Sequence, residues 1–373
     1  MQIYAGNVRD LKTNNYPGVS EWGQIYNLLA LNVSLIDRSE KITLPFNFKL
    51  YDKFKMPEMD TSFDLTYEQC CDRRATEIYE LSKELDKPIY IFYSGGIDST
   101  LVLVSFLKVI PENDRDRLVL LMNTNSIKEY PHMYYTYIRG KIKTVSSNNF
   151  SKYFDKSCIL VGGEFNDQLF GSDIVKLVYQ KYGFATVKMR YSREIITKLF
   201  LDVGMDSESA NIWYDLLDES CKNSPVALVT VFDFLWWLNF NFKWQAVFFR
   251  LVIRCDKQYQ SSIDDDFLNT YYHHFYGEEY FQLWSMTNQD TKIQDKWDTY
   301  KFLPKQIIYE FTNDAEYRDN KTKLPSLGLL FTQKRTPHAL TTDYKFIDEF
   351  TLSDTESLYV PQNDFIPLPL NKQ

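Results

Sequence analysis

The chain has 373 residues, a formal net charge of −8 and 16% aromatic residues. Its length suits a large core divided into subdomains, and its acidic balance supplies no general attraction to nucleic acid or anionic membranes. Five scattered cysteines without a CxxC pair and only four histidines argue against a disulfide framework or structural zinc; no apolar run reaches the roughly 18 residues of a membrane span, so a soluble, cytoplasmic protein is expected.

Residues 1–75 read as a lead-in, with weak amphipathic spacing from Trp22 to Ile36 and alternation from Lys41 to Leu50. Thr66 to Leu85 has helical spacing and stops before Asp86-Lys87-Pro88. Ile89-Tyr90-Ile91-Phe92-Tyr93 is short, β-branched and aromatic, as a buried parallel strand is, and after Ser94-Gly95-Gly96-Ile97 an apolar helix runs from Asp98 to Ile110. A second strand is expected over Arg117–Asn123, a helix over Glu129–Gly140, a short strand over Lys141–Val145 and another strand over Ser157–Gly163. This alternation predicts an α/β fold: a parallel sheet with helices on both faces, binding ligands at the carboxyl ends of its strands. Residues 76–190 would form that core. From Arg193 the pattern turns helical (Ile195–Val203, Ala210–Leu217, aromatic Val229–Arg254, Glu278–Met286, Phe302–Phe311), giving a mostly helical second lobe over 191–328. The stretch 329–373, with Pro337, Pro361, Pro367 and Pro369, reads as an extended tail, and Gly328–Phe331 at its start as a short strand.

The glycine turn after the first strand offers a phosphate unobstructed backbone N–H groups, the hydroxyls of Ser94 and Ser99 beside Thr100, and a helix N-terminus. Asp98 would repel that phosphate unless Mg²⁺ joined them. The spacing is neither GxxxxGK[ST] nor GxGxxG, so a Walker loop and a dinucleotide fingerprint are both disfavoured. A second strand ends in Gly162-Gly163-Glu164, with Asp167 three residues on. Taken alone, Glu164 and Asp167 are carboxylates suited to a helix N-terminus; beside the first loop they suit a metal ligand and a proton acceptor.

Ser94-Gly95-Gly96-Ile97-Asp98-Ser99 after a buried strand resembles the pyrophosphate loop of the N-type ATP pyrophosphatases. Gly163-Glu164-Phe165-Asn166-Asp167-Gln168-Leu169-Phe170-Gly171 resembles the SGEGADELFGG segment of the asparagine synthetase synthetase domain, departing from it at Phe165 (a glycine there) and Gln168 (an acid there). The resemblance spans about residues 75–328 and is strong at the two loops. It implies an ATP-dependent, AMP- and pyrophosphate-forming ligase that adenylates a small-molecule carboxylate and makes an amide with ammonia or an amine. Tyr93, Ser94, Gly95, Gly96, Asp98, Ser99, Thr100, Leu121, Met122, Gly162 and Gly163 would hold ATP, the adenine lying near Tyr93 and Leu121-Met122. Asp98 and Asp167 would hold Mg²⁺, Glu164 would assist the nucleophile, and Lys321, with Lys323 next, would neutralise pyrophosphate. Gln2 stands where glutamine-dependent relatives carry a nucleophilic cysteine, so the nitrogen would come from ammonia, a substrate amine or a separate amidotransferase partner. The alternatives are modification of a tRNA or nucleobase by the same chemistry, and a nucleotide-binding regulatory protein without turnover.

Overall fold

The computed structural model describes residues 3–5, 36–42, 50–171, 174–202, 204–294, 299–322, 339–341 and 346–347. Two compact units share the chain. One comprises Asp60–Asn166 and Cys255–Arg335; the other comprises Met1–Met59, Asp167–Arg254 and Thr336–Gln373. Residues 255–328, expected in the helical lobe, are thus grouped with the sheet.

The first unit is built on five parallel strands: β1 (Ile89–Phe92), β2 (Leu118–Met122), β3 (Lys143–Ser146), β4 (Ile159–Gly162) and β5 (Tyr272–His274). Their order is β3-β2-β1-β4-β5. Every residue of β2 and β4 is buried, which explains their continuous Val/Ile/Leu runs, whereas β3 at the edge is largely exposed and begins with a lysine that discourages further pairing. The three-residue β5 was not foreseen: Tyr272-His273-His274 is too short to have a period, and only pairing with Leu160, Val161 and Gly162 makes it a strand.

Helix α1 (Tyr67–Glu84) starts at a capping box, Thr66 accepting from the Gln69 N–H while the Gln69 side chain accepts from Thr66. Helix α2 (Ile97–Val109) is buried from Ile97 to Leu107, as a helix apolar on all sides must be. The helix expected over Glu129–Gly140 is broken. Helix α3 (Thr124–Glu129) ends before it, and after Pro131 a π-helical turn covers Tyr134–Ile138. Pro131 lacks the N–H that a continuous helix would need. Helices α4 (Phe302–Thr312) and α5 (Ala315–Asn320) complete the elements that matter for the site.

The second unit is mainly helical. The aromatic stretch forms a helix over Val231–Phe242 with every residue buried, as its composition implied. Arg38 ties its own segment and Phe54 to it, donating to the carbonyls of Phe54 (2.5 Å) and Phe240 (3.1 Å) and lying over the Trp244 ring at 4.5 Å. The same unit holds a small antiparallel sheet in which Ile3–Ala5 pairs with Ala339–Thr341, and that strand with Phe346–Ile347. Most of the expected lead-in, the strand candidate Gly328–Phe331 and Lys323 lie outside the described residues. No described helix is long and apolar enough to cross a membrane.

None of the five cysteines is in a disulfide, and all are buried. Burial pushes the Cys70 and Cys158 thiols from 9 up to about 12 and raises Cys71 and Cys221 well above their ordinary range. The folded state therefore keeps protons that the unfolded chain releases. Stability is fully present below pH 9 and falls as pH rises toward 12, by about 1.4 kcal/mol per pH unit for each such thiol. Urea titrations across that window should show a shallower decline for the Cys70→Ala/Cys158→Ala protein than for the natural one; equal slopes would remove the thiols from the explanation.

Candidate functional site

The β1 ladder continues one residue beyond the strand, the Tyr93 N–H donating to the Leu121 carbonyl at 2.9 Å, and then the chain turns at Gly95 with φ +78°. Any other residue would be strained there, and its Cβ would stand 2.4 Å from the Ser126 carbonyl oxygen and 2.9 Å from the Glu129 Cβ. Serine hydroxyls staple the turn. The Ser94 N–H donates to Ser99 Oγ (3.1 Å), the two Oγ atoms are 3.0 Å apart, and the Gly96 N–H donates to Ser94 Oγ (3.3 Å). Gly96 is the N-cap of α2 and has no side chain to cap it, so the helix starts with backbone donors that no capping side chain covers.

The loop after β4 reaches the same place. A Cβ on Gly163 would be 3.2 Å from the Ser99 backbone nitrogen, so a glycine is what lets the β4 loop lie against the first turn of α2. The two glycine loops picked out from the sequence meet between β1 and β4, where the strand order reverses and open parallel sheets bind ligands. Phe165 follows with φ +76°, a left-handed conformation in a buried phenylalanine. Glycine adopts this conformation without strain, whereas a phenylalanine holds it only where its surroundings impose it. The ring lies edge-on to His274 with centroids 5.1 Å apart and packs on Gly277. Half-buried Glu164 sits between Gly163 and this strained residue.

Asp98, in the first turn of α2, is 8% exposed and multiply held. Its Oδ1 accepts from Lys301 Nζ at 2.6 Å and from Asn166 Nδ2 at 2.7 Å, and its backbone carbonyl accepts from the Tyr276 hydroxyl at 2.8 Å. Asn166 is itself oriented by the Tyr67 hydroxyl, which donates to its Oδ1 at 2.7 Å. The Lys301 side chain is fully buried, and the residue is the left-handed N-cap of α4 (φ 57°, ψ 35°). Lys301 and Asn166 were missed in the sequence, where the counter-charge for Asp98 was sought in Mg²⁺. The sequence contains only a weak cue for Lys301: it is the charged residue immediately before the apolar helix at Phe302.

Lys321 comes close to the loop indirectly. Its Nζ pairs with Glu129 Oε1 and donates to the Glu129 carbonyl (3.3 Å), and Glu129 rests on Gly95. Lys321 also lines a cavity of about 410 Å³ with Tyr130, His132, Asp314, Glu316 and Tyr317. The rings of Tyr130 and Tyr317 stack at 3.9 Å, and the Tyr130 hydroxyl donates to Asp314 (3.2 Å). The hydroxyls of Tyr93, Thr100 and Tyr317 are buried together, and burial raises the pKa of both phenols. Leu121 and Met122 are buried at the end of β2. Gly162, at the end of β4, leaves room for the His274 ring, whose Nδ1 would stand 2.8 Å from a Cβ there.

Asp167 and Gln168 belong to the helical unit. There the Asp167 carbonyl accepts from Asn239 Nδ2 (2.7 Å), and Gln168 Nε2 donates to Asn239 Oδ1 (3.2 Å). Gln168 is thus a buried polar contact of that unit. Asp98 and Asp167 fall in different units, and their sharing of one cation remains an expectation from the sequence. Among the described residues no group of three His, Cys, Asp or Glu side chains is placed to hold a metal ion. No protein-family model and no curated protein matches the chain.

The Asp98–Lys301 pair can be tested by double-mutant analysis. Lys301→Met should destabilise the fold by about 3–5 kcal/mol, because it leaves a buried carboxylate without its cation, and Asp98→Asn/Lys301→Met should recover most of that loss. Chemical denaturation of the four proteins measures the coupling. Additive losses would mean that the pair is not a unit.

Proposed function

We propose that this protein is an ATP-dependent ligase that activates a small-molecule carboxylate as its acyl-adenylate, releases pyrophosphate and forms an amide with ammonia or an amine. The observation that carries the reading is the meeting of two loops at the strand-order reversal: the stapled Ser94–Ser99 turn and the Gly163-Glu164 turn packed on Ser99. The substrate carboxylate oxygen attacks the α-phosphorus, the bond to the β-phosphate breaks and pyrophosphate leaves. The nitrogen nucleophile then attacks the acyl carbon, AMP departs, and Glu164 takes the nucleophile's proton.

In this reading, Ser94, Gly95, Gly96, Ser99 and the first-turn N–H groups of α2 hold the β- and γ-phosphates, as uncapped helix starts do. Thr100, Gly162 and Gly163 shape the pocket around them, and Tyr93 with Leu121 and Met122 borders the adenine. Mg²⁺ fits as the ion that ATP carries, since it keeps phosphate and water ligands and needs only one or two carboxylates; Asp98 is the loop's carboxylate for it. Lys301 balances Asp98 before the nucleotide arrives, and Lys321, which reaches Gly95 through Glu129, is the cation for the leaving group. The buried thiols, with their raised pKa values, suit sulfur chemistry poorly.

A second reading, a nucleotide-binding protein without turnover, is favoured by one observation: Lys301 and Lys321 both already contact carboxylates of the chain. Incubation with ATP, Mg²⁺ and pools of carboxylates and amines separates the two. The ligase should release AMP and pyrophosphate in equal amounts, and Asp98→Asn/Lys301→Met, which keeps the buried charges balanced, should lower the rate about 10²–10³-fold. ATP binding without pyrophosphate under every condition would leave the second reading; no ATP binding would end both.

A further inference from the structure

Glu129 is anomalous in its setting. It is the last residue of α3, where the helix carbonyls already make the surroundings negative, and its side chain is only 8% exposed. Its Cβ and Cγ would lie 2.9 and 3.3 Å from a side chain at Gly95, so the carboxylate stem rests on the positive-φ turn of the phosphate loop. Its partner there is Lys321, the residue that follows α5, whose ammonium contacts both the Glu129 carboxylate and the Glu129 carbonyl and is 13% exposed. An anion built against a loop suited to phosphate opposes phosphate binding, and the cation that would favour binding is already engaged by that anion.

We infer that Glu129 is a positioning residue that holds Lys321 beside the phosphate loop and competes for it with the bound polyphosphate, so that loading the loop requires Lys321 to change partner. The inference rests on the phosphate-loop reading given above. Glu129 and a pyrophosphate cannot both be neutralised by one ammonium. When the phosphate takes Lys321, Glu129 is left beside it, and the mutual repulsion weakens retention of the anion. The same contact keeps the lysine from swinging into solvent while the loop is empty, and it favours discharge of pyrophosphate once the α–β bond has broken. Lys321 also lines the open cavity beside Tyr130 and Tyr317, so its exchange of partners takes place at an opening to solvent.

Inorganic pyrophosphate is the probe, with binding followed by calorimetry in the natural protein and in Glu129→Gln, Glu129→Asp, Lys321→Met and Glu68→Gln. Glu129→Gln keeps the size and removes the charge, and should tighten pyrophosphate about tenfold. Glu129→Asp keeps the charge but shortens the reach, should tighten it less, and remains informative if Glu129→Gln does not fold. Lys321→Met should weaken binding about tenfold. Glu68 pairs with Lys108 away from the loop, at 2.7 Å, and Glu68→Gln should change nothing. If the natural protein binds pyrophosphate and neither Glu129 variant binds it more tightly, the competition is disproved while the phosphate-loop reading stands. Binding by Glu129→Gln alone would support the competition strongly; binding by none of the five would overturn both.

Discussion

The contact on which the site depends is the buried ion pair between Asp98 and Lys301. A carboxylate with this little exposure cannot be left without a cation, because desolvation of an unpaired charge costs several kcal/mol. The start of α4 is therefore tied to the start of α2, although more than two hundred residues separate them in the chain. The same carboxylate gathers Asn166 from the end of the β4 loop, with Tyr67 of α1 behind it, while Tyr276 after β5 takes the Asp98 carbonyl. Three segments distant in sequence converge on one residue beside the glycine turn, and a fourth supports them from behind. What orders the loop is this convergence, together with the two serine hydroxyls inside it.

Two residues around this carboxylate adopt a left-handed backbone without being glycine: Lys301 at φ 57° and Phe165 at φ 76°. Each conformation costs on the order of 1–3 kcal/mol and persists only where packing over-determines it. For Lys301 the compensating contact is the ion pair, for which the side chain must enter the interior directly from the helix cap. For Phe165 it is the ring, buried against His274 and Gly277. A turn that glycine would make without strain is here made by a large aromatic, so the space beside Glu164 is filled by protein.

The helical unit solves a different problem. Its central helix, Val231–Phe242, is aromatic and buried throughout, and its few polar groups are all bonded. Asn241 donates to Asp37 (2.7 Å), Asn239 donates to the Asp167 carbonyl and accepts from Gln168, and the Trp237 indole donates to Ser220 (2.9 Å). Buried polar groups satisfied in this way fix one arrangement of an otherwise greasy core. Gln168 belongs to that set: at this position the chain supplies a donor to Asn239.

The sequence by itself determined the strand–loop–helix at Ile89–Val109, the helix before it from about Thr66 to Leu85, the second glycine-ended strand and the buried aromatic helix. Each of these is written in local periodicity, capping or turn chemistry within a score of residues. It also marked Ser94 to Ser99 and Gly163, because a glycine turn between an apolar strand and an apolar helix has few other meanings. Tertiary structure alone decided that Tyr272-His273-His274 is a strand, since three residues have no period and take their state from β4. It decided that residues 255–335 share a unit with the sheet and that Lys301 is the partner of Asp98. It decided, too, that Lys321 meets Glu129. A lysine looks the same in sequence whether it is solvated or buried; which of them meets a carboxylate depends on chain crossings hundreds of residues apart, and no local pattern records them.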